Sequence, residues 1–453
     1  MIAQQARGKA FAMNLTRSVL LCIILFASAS STLAQLVNGR LTTSFYTLER
    51  FDTVGSSKTY LRAYQTVQLS AAQGNISLHT FLQGAMNGTN DFGDVGRVRF
   101  YNLYLTWANI GRALDLNFGR QALYAGVANG TIDGLLARAR LWKDRITVTG
   151  FGGATVNSDY TGIRKNIHDN YSIGGQVVTT ALEGARIGIS YMNRHEERDP
   201  YWALRNYDTT FTPRLVYINP SSPAEEYGSA DVYYTYGSLL SVYGRYDYDF
   251  NLTRTSRGQG GARINVTNAL ALTADYVYRA PHIAYNSIFS VFTSNSTTEL
   301  EGGLDYTFCP LLHAFARVGH VTYTSTLEDK STRWTVGLNS GYGSFSYSGG
   351  NGYAGELQSV SLQGSYPFFN RMLIPTLGLS YASYRLDPEV STDRDNALSL
   401  LLGAIVRPSS SFSFDVQGQW LTNKVLNRDM RLQVRLMYWF AQRLSIFKQE
   451  VNQ

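Results

Sequence analysis

The ten residues RLQVRLMYWF, Arg431 to Phe440, decide the fold. Leu432, Val434, Leu436, Tyr438 and Phe440 fall on one side of an extended chain, and Arg431, Gln433 and Arg435 on the other. Successive side chains of a strand point to opposite faces, so this segment is a strand with one greasy and one charged face. Working outward, the same rule reads SFSFDVQGQW (411–420), where Phe412, Phe414, Val416 and Trp420 oppose Ser411, Ser413, Asp415, Gln417 and Gln419. It also reads GLLARARLW (134–142), with Leu135, Ala137, Ala139 and Leu141 against Arg138 and Arg140, and SVYGRYDYDF (241–250), with Val242, Tyr246, Tyr248 and Phe250 against Arg245, Asp247 and Asp249.

A soluble sandwich alternates too, so composition must separate the two. Charged residues make up 16% of the chain, against about 25% in ordinary soluble domains. After the N-terminal region the best apolar run is ALSLLLGAIV, Ala397 to Val406, closed by Asn396 and Arg407. That is half the length of a membrane-spanning helix and the right length for a membrane-spanning strand. A bilayer accepts β-structure only as a closed barrel, because every backbone polar group must be paired.

Residues 1–34 stand apart. Arg7, Lys9 and Arg17 precede an apolar core, Val19–Phe26, and the small-residue run ASASSTLA ends at Ala34. This is the order of a secretory signal peptide, and Met13 opens a second complete version of it. Cys22 lies inside the greasy core behind Leu21, where a lipidation motif would require a small residue. The segment holds three of the 40 Lys and Arg and none of the 33 acids, so the remaining 419 residues carry a formal charge of +4, too little to argue for nucleic acid. They keep one cysteine, Cys309, which excludes an internal disulfide.

Connector lengths supply an independent pattern. Tight connections are expected at 71–74, 109–113, 143–144, 182–185, 236–239, 268–270, 309–312, 340–343, 367–371 and 407–411. Between them lie longer polar ones, such as 86–95, 155–169, 194–226, 280–296 and 384–395. Short periplasmic turns alternating with longer extracellular loops are the wiring of outer-membrane barrels. The expectation is therefore an all-β chain: a single transmembrane antiparallel barrel of about 22 strands over 35–440 and a short tail, 441–453. Weak segments at 39–50, 258–267 and 342–349 would lower the count toward ~18.

The segment LNFGRQALYAGVANGTIDGLLARARLW (116–142) resembles the strand–loop–strand of porin-type and alginate-export-type barrels, with its GRQ strand end and Gly-rich loop. LTNKVLNRDMRLQVRLMYWF (421–440) resembles the closing hairpin of such barrels, although here Phe440 is followed by AQRLSIFKQEVNQ, leaving Phe440 or Phe447 as the terminal aromatic. The resemblance implies passage of a polar or anionic solute across the bacterial outer membrane. Expected partners are membrane lipid and lipopolysaccharide, the barrel-assembly machinery and small polar solutes, with oligomeric state open.

Catalysis finds little footing. The six histidines form no HExxH, and neither a GxSxG elbow nor a GxxxxGK[ST] loop occurs. No catalytic residue, cofactor or metal is expected. The densest polar cluster, RHEERDPY (194–201), offers His195, Glu196, Glu197 and Asp199 as oxygen and nitrogen ligands, but without EF-hand spacing it reads better as a solvated loop. The length of 194–226 suggests instead that it folds inward and narrows the opening, with Arg194, Glu196, Glu197, Arg198 and Asp199 as constriction residues.

Lysine occurs only seven times, so arginine supplies 33 of the 40 cations. Its planar fork grips carboxylate and phosphate. Arg138, Arg140, Arg145, Arg186, Arg245, Arg263, Arg317, Arg333, Arg431 and Arg435 oppose the apolar stripe and are expected to line the lumen with Asp247 and Asp415. Whether they attract anions or merely pair with Asp115, Asp247, Asp249, Asp275, Asp305 and Asp415 stays open. A weakly anion-preferring channel leads. The alternatives are an exporter of an acidic polysaccharide and a structural or adhesive barrel with a filled lumen.

Overall fold

The computed structural model describes residues 36–442 apart from 53–56, 90–97, 158, 165, 198–199, 207–212, 219–224, 282–295, 325–328 and 387–391. The segment 1–34, expected to be a signal peptide, and all but the first two residues of the tail 441–453 lie outside the described residues.

The strands are β1 (Leu36–Asp52), β2 (Ser57–Gln73), β3 (Ile76–Thr89), β4 (Val98–Ile110), β5 (Leu114–Ala125), β6 (Ala128–Leu141), β7 (Ile146–Thr155), β8 (Asn170–Thr179), β9 (Ala185–Glu196), β10 (Tyr201–Asn206), β11 (Pro213–Ile218) and β12 (Glu225–Tyr236). They continue with β13 (Leu240–Asp249), β14 (Arg254–Asn265), β15 (Leu270–Arg279), β16 (Thr297–Cys309), β17 (Leu312–Tyr323), β18 (Lys330–Ser340), β19 (Gly343–Gly352), β20 (Glu356–Ser365), β21 (Leu373–Arg385), β22 (Asp395–Ser409), β23 (Phe412–Thr422) and β24 (Leu426–Gln442). Twenty-two of them form one antiparallel sheet, and β10 and β11 pair only with each other. The sheet closes where β1 meets β24, from Val37↔Gln442 through Leu41↔Tyr438 to Leu48↔Arg431. Closure removes the free edges that a bilayer cannot tolerate.

The three segments read as weak are strands: 39–50 lies within β1, all of 258–267 but its last two residues within β14, and all of 342–349 but its first within β19. All ten tight connections lie at one end of the barrel and the long ones at the other, because strands alternate in direction. Some tight turns are sharper than their sequences suggest: Trp142, Lys143 and Asp144 all have positive φ (50°, 57° and 65°), a region that side chains with a Cβ enter at a cost.

Register fixes the faces. Asp415 faces Arg435, Gln417 faces Gln433 and Val416 faces Val434, so the polar stripes of neighbouring strands lie side by side. The opposite stripes are apolar and exposed: Phe118 is 68% exposed and Ile189 64%, with Leu300, Val318, Leu402, Leu432 and Leu436 also among the exposed large side chains. An apolar belt of that extent would drive aggregation in water and suits hydrocarbon.

Candidate functional site

The site grows from the GRQ motif, Gly119–Gln121. Pairing between β4 and β5 stops at Leu103↔Arg120, while β5 and β6 stay paired to the tip, Ala125↔Ala128. Beyond Arg120 the hairpin therefore leaves the wall. Gly119 makes the departure possible. Its φ is +124°, and an added Cβ would sit 2.4 Å from the Leu103 carbonyl oxygen, so no side chain fits.

Leaving the wall strips β4 of its neighbour. Residues 160–162 take that place, with the Phe100 N–H donating to the Tyr160 carbonyl at 3.0 Å. Arg120, 7% exposed, ties the three segments together. Its Nε and Nη2 grip the two Asp133 oxygens at 2.7 Å each. Nη1 donates to the carbonyls of Phe100 and Tyr160, both at 3.1 Å, and Nη2 also donates to Gly162. All five guanidinium N–H groups are thereby used. Gln121, 2% exposed, donates to the Asn117 and Gly134 carbonyls at 3.2 and 3.3 Å.

The tip lands on strands that β5 and β6 do not adjoin. The Val127 N–H donates to Ser190 Oγ on β9 at 2.9 Å. Arg194 on β9 donates to the Asn129 carbonyl at 3.4 Å. Gly126, with φ +64°, lies so close that an added Cβ would be 2.1 Å from Ser190 Oγ. Leu123, Ala125, Ala128 and Ile132 join Leu136, Phe151 and Met192 in a buried apolar cluster, flanked by Val127 and Tyr227. Leu123 and Ile132 are each 1% exposed, and each contributes about 1.5–3 kcal/mol over its water-exposed state. Because these contacts run from β6 to β9 and β12 across a closed wall, they lie along a chord. The hairpin folds into the lumen, and the face bearing Ser190, Met192 and Tyr227 is the inner one.

That assignment carries round the register to every strand. Asp115, Arg138, Arg140, Arg186, Arg245, Asp247, Asp415, Arg431 and Arg435 share the inner face. Most of these charges are paired. Arg140 forks onto Asp115, one arm at 3.2 Å. Arg186 meets Asp231 at 2.5 Å and Arg245 meets Asp247 at 2.8 Å. Arg317 shares Asp305 with Arg263, Arg333 spans Glu299 and Glu301, and Arg431 holds the fully buried Asp429 at 2.7 Å. Arg435 and Asp415 stand 4.0 Å apart. Arg138 has no ion pair among the described residues, because its cross-strand neighbour Asp115 belongs to Arg140. Arg145 is a correction: it sits in the turn 142–145, its guanidinium 5.9 Å from the centre of the Trp142 ring, and not on a wall strand.

The β5–β6 hairpin is an inward-folding segment that the sequence reading did not single out, whereas residues 198–199, 207–212 and 219–224 of the loop expected to narrow the opening lie outside the described residues. Within 194–226, β10 and β11 form their own two-stranded sheet, with Trp202, Leu204, Leu215 and Tyr217 exposed. Arg194 does touch the inserted tip, but it lies on β9 and pairs with Glu225. Glu196 accepts from Arg164 at 2.9 Å, and the Glu197 N–H donates to Asn170 Oδ1 at 3.1 Å. His195 Nδ1 lies 2.6 Å from the Asp169 carbonyl. These residues fasten the 155–169 loop, and among the described residues no group of His, Cys, Asp and Glu is placed to hold a metal. Arg198 and Asp199 lie outside the described residues.

Between the tip and the wall strands β8 to β14 lies a cavity of about 490 Å3, with Tyr124 and Asn129 on the tip and Arg186, Asp231, Arg245 and Arg257 on those strands. Arg257 and the tip residues were not singled out from sequence. The inner face from β19 to β23 is different in kind. Ser344, Ser346 and Ser348 face Gln363, Ser361 and Ser359, and Gln417 and Gln419 continue the uncharged lining. Its signal was present in the alternating serines of 344–348.

No known family matches the sequence, and no curated protein matches it. Solved structures of similar architecture include Pseudomonas aeruginosa OpdQ (TM-score 0.41, 11% identity, covering 90% of this chain and 98% of that one). A BenF-like porin from Pseudomonas fluorescens Pf-5 gives 0.42 and 8%, covering 90% and 100%. Acinetobacter baumannii OccAB4 gives 0.43 and 9%, covering 91% and 100%. The alginate-export side of the sequence resemblance finds no support among these.

Proposed function

We propose that this chain is an outer-membrane channel for small polar solutes, narrowed by the β5–β6 hairpin. The observation that carries the reading is the hairpin itself: a pinned segment folded into the lumen of a closed wall that is polar inside and apolar outside. An apolar exterior with a hydrated interior suits a bilayer, the short-turn end then being periplasmic and the two ends of the wall, Leu36 and Gln442, lying on that side. A cleaved signal peptide ending at Ala34 would deliver the chain there.

Arg138, Arg140, Arg186, Arg245, Asp247, Asp415, Arg431 and Arg435 would line the pore. Ion pairing leaves little free charge, so anion preference is modest. A low-dielectric wall focuses what remains, and salt screens it with a Debye length of about 10 Å at 0.1 M. The exporter alternative would want an open arginine track, whereas here carboxylates interrupt it.

Planar-bilayer recording of the purified full-length protein tests the reading. Stable unit conductance, with a reversal potential toward the anion in a salt gradient, is the expected result. Correctly folded protein that conducts nothing would make the filled structural barrel the better account.

A further inference from the structure

A second lumenal cavity, of about 660 Å3, lies across the β24–β1 seam and is lined by β1 to β4. Its chemistry differs from that of the arginine wall. One in-register row runs Trp439, Arg40, Gln68, Phe81 and Asn102. The next runs Asn38, Ser70, His79 and Tyr104. No carboxylate lines the cavity, and Arg40 is its one charged lining residue.

The rings are held rather than loose. His79 stacks on Tyr104 at 5.0 Å and 25°. Both of its ring nitrogens are engaged, one 3.1 Å from Ser70 Oγ and the other 2.8 Å from Ser77 Oγ. Phe81 stacks on Tyr101 at 4.9 Å, and Tyr101 meets Tyr160 of the 155–169 loop at the same distance. Aromatic side chains therefore stand at both ends of the cavity row, with Arg40 and Gln68 between Phe81 and Trp439.

Ring faces carry negative charge density, and amide and hydroxyl groups beside them offer both donors and acceptors. A cation would meet Arg40 and no acid. A small inorganic anion would find more cations on the opposite wall. A sugar presents a face of polarised C–H bonds and a rim of hydroxyls, which needs rings and amides together. The volume lies within the roughly 300–1,000 Å3 of small-molecule sites. A separate uncharged pocket of about 620 Å3 is lined by Gln363, Gln417 and Gln419 among others.

We propose that the Trp439–Tyr104 cavity binds a neutral mono- or disaccharide. The proposal relies on the channel reading only for how the sugar arrives. Calorimetric titration of the detergent-solubilised full-length barrel with maltose tests it without requiring a pore, and glucuronate serves as the charged control. Saturable maltose binding is expected, weakened about tenfold by Tyr104→Ala or Trp439→Ala, retained in Tyr104→Phe, and untouched by Arg138→Ala.

Absence of maltose binding, wild-type affinity in both ring-deletion variants, or a tenfold preference for glucuronate would each overturn it. Should the ring deletions fail to assemble, Gln68→Leu decides, since unchanged affinity there also overturns it. Conductance without maltose binding sinks the sugar site alone; maltose binding without conductance sinks the channel alone.

Discussion

The β5–β6 hairpin and the β10–β11 hairpin lie on the same end of the barrel and had opposite prospects. The segment 194–226 is long, polar and dense in charge; the connection at 126–127 is two residues long. Yet the short one is seated inside the lumen. What separates them is attachment. The β5–β6 tip has buried apolar side chains, a left-handed glycine against Ser190 and an arginine whose five donors are used. The described part of β10–β11 leaves its large apolar side chains exposed. Reach does not place a segment inside a pore; complementary contacts do.

The sharpest way to break the comparison is Arg120→Ala. It strands Asp133, 14% exposed, and three carbonyls. Breaking such a buried pair costs about 3–5 kcal/mol, so the barrel should unfold at markedly lower denaturant, and the released hairpin should raise conductance. Arg120→Lys should recover only part of this, because an ammonium cannot fork. Wild-type stability in Arg120→Ala would remove the clasp from the account.

Ser190→Ala is gentler. It removes the acceptor for the Val127 N–H and should cost about 1–3 kcal/mol, read as more frequent open-state fluctuations in single-channel traces. Quiet traces identical to wild type would mean that the apolar cluster alone seats the tip.

Deleting 200–218 should leave conductance close to wild type with the barrel assembled. A rise comparable to that from deleting 124–129 would put the two hairpins on an equal footing and end the contrast. The smallest effect is expected from Arg138→Ala, which lies away from both hairpin tips: a slight loss of anion preference at low salt that fades as salt rises. A gain in anion preference would refute its lumenal placement.

The wall was legible because its cause is local. Parity along 431–440 assigns Arg431 and Leu432 to opposite faces whatever the rest of the chain does, and bilayer physics then names the faces. Tight connections were legible for the same reason. The inserted hairpin was not. Gly119, Arg120 and Gln121 were visible as a motif, but their roles depend on Leu103, Tyr160 and Ser190, which no spacing rule brings together. Loop length stood in for those contacts and pointed to 194–226. Arg145 failed at a boundary: parity alone counted it as wall, whereas the turn 142–145 claims it.

The hairpin's contacts also fix an order of events. Pairing between neighbouring strands joins residues a few positions apart across a tight turn, as in Gln73↔Ile76. The bond from Val127 to Ser190 spans 63 residues, and Tyr227 of β12 flanks the cluster beneath the tip. Contacts so distant in sequence form late, since the intervening chain must be ordered first. The seat for the tip exists only once β8, β9 and β12 stand in the wall. During assembly, then, the throat is set while the sheet is still open, before the Val37↔Gln442 pair of the β1–β24 seam joins the two ends of the wall.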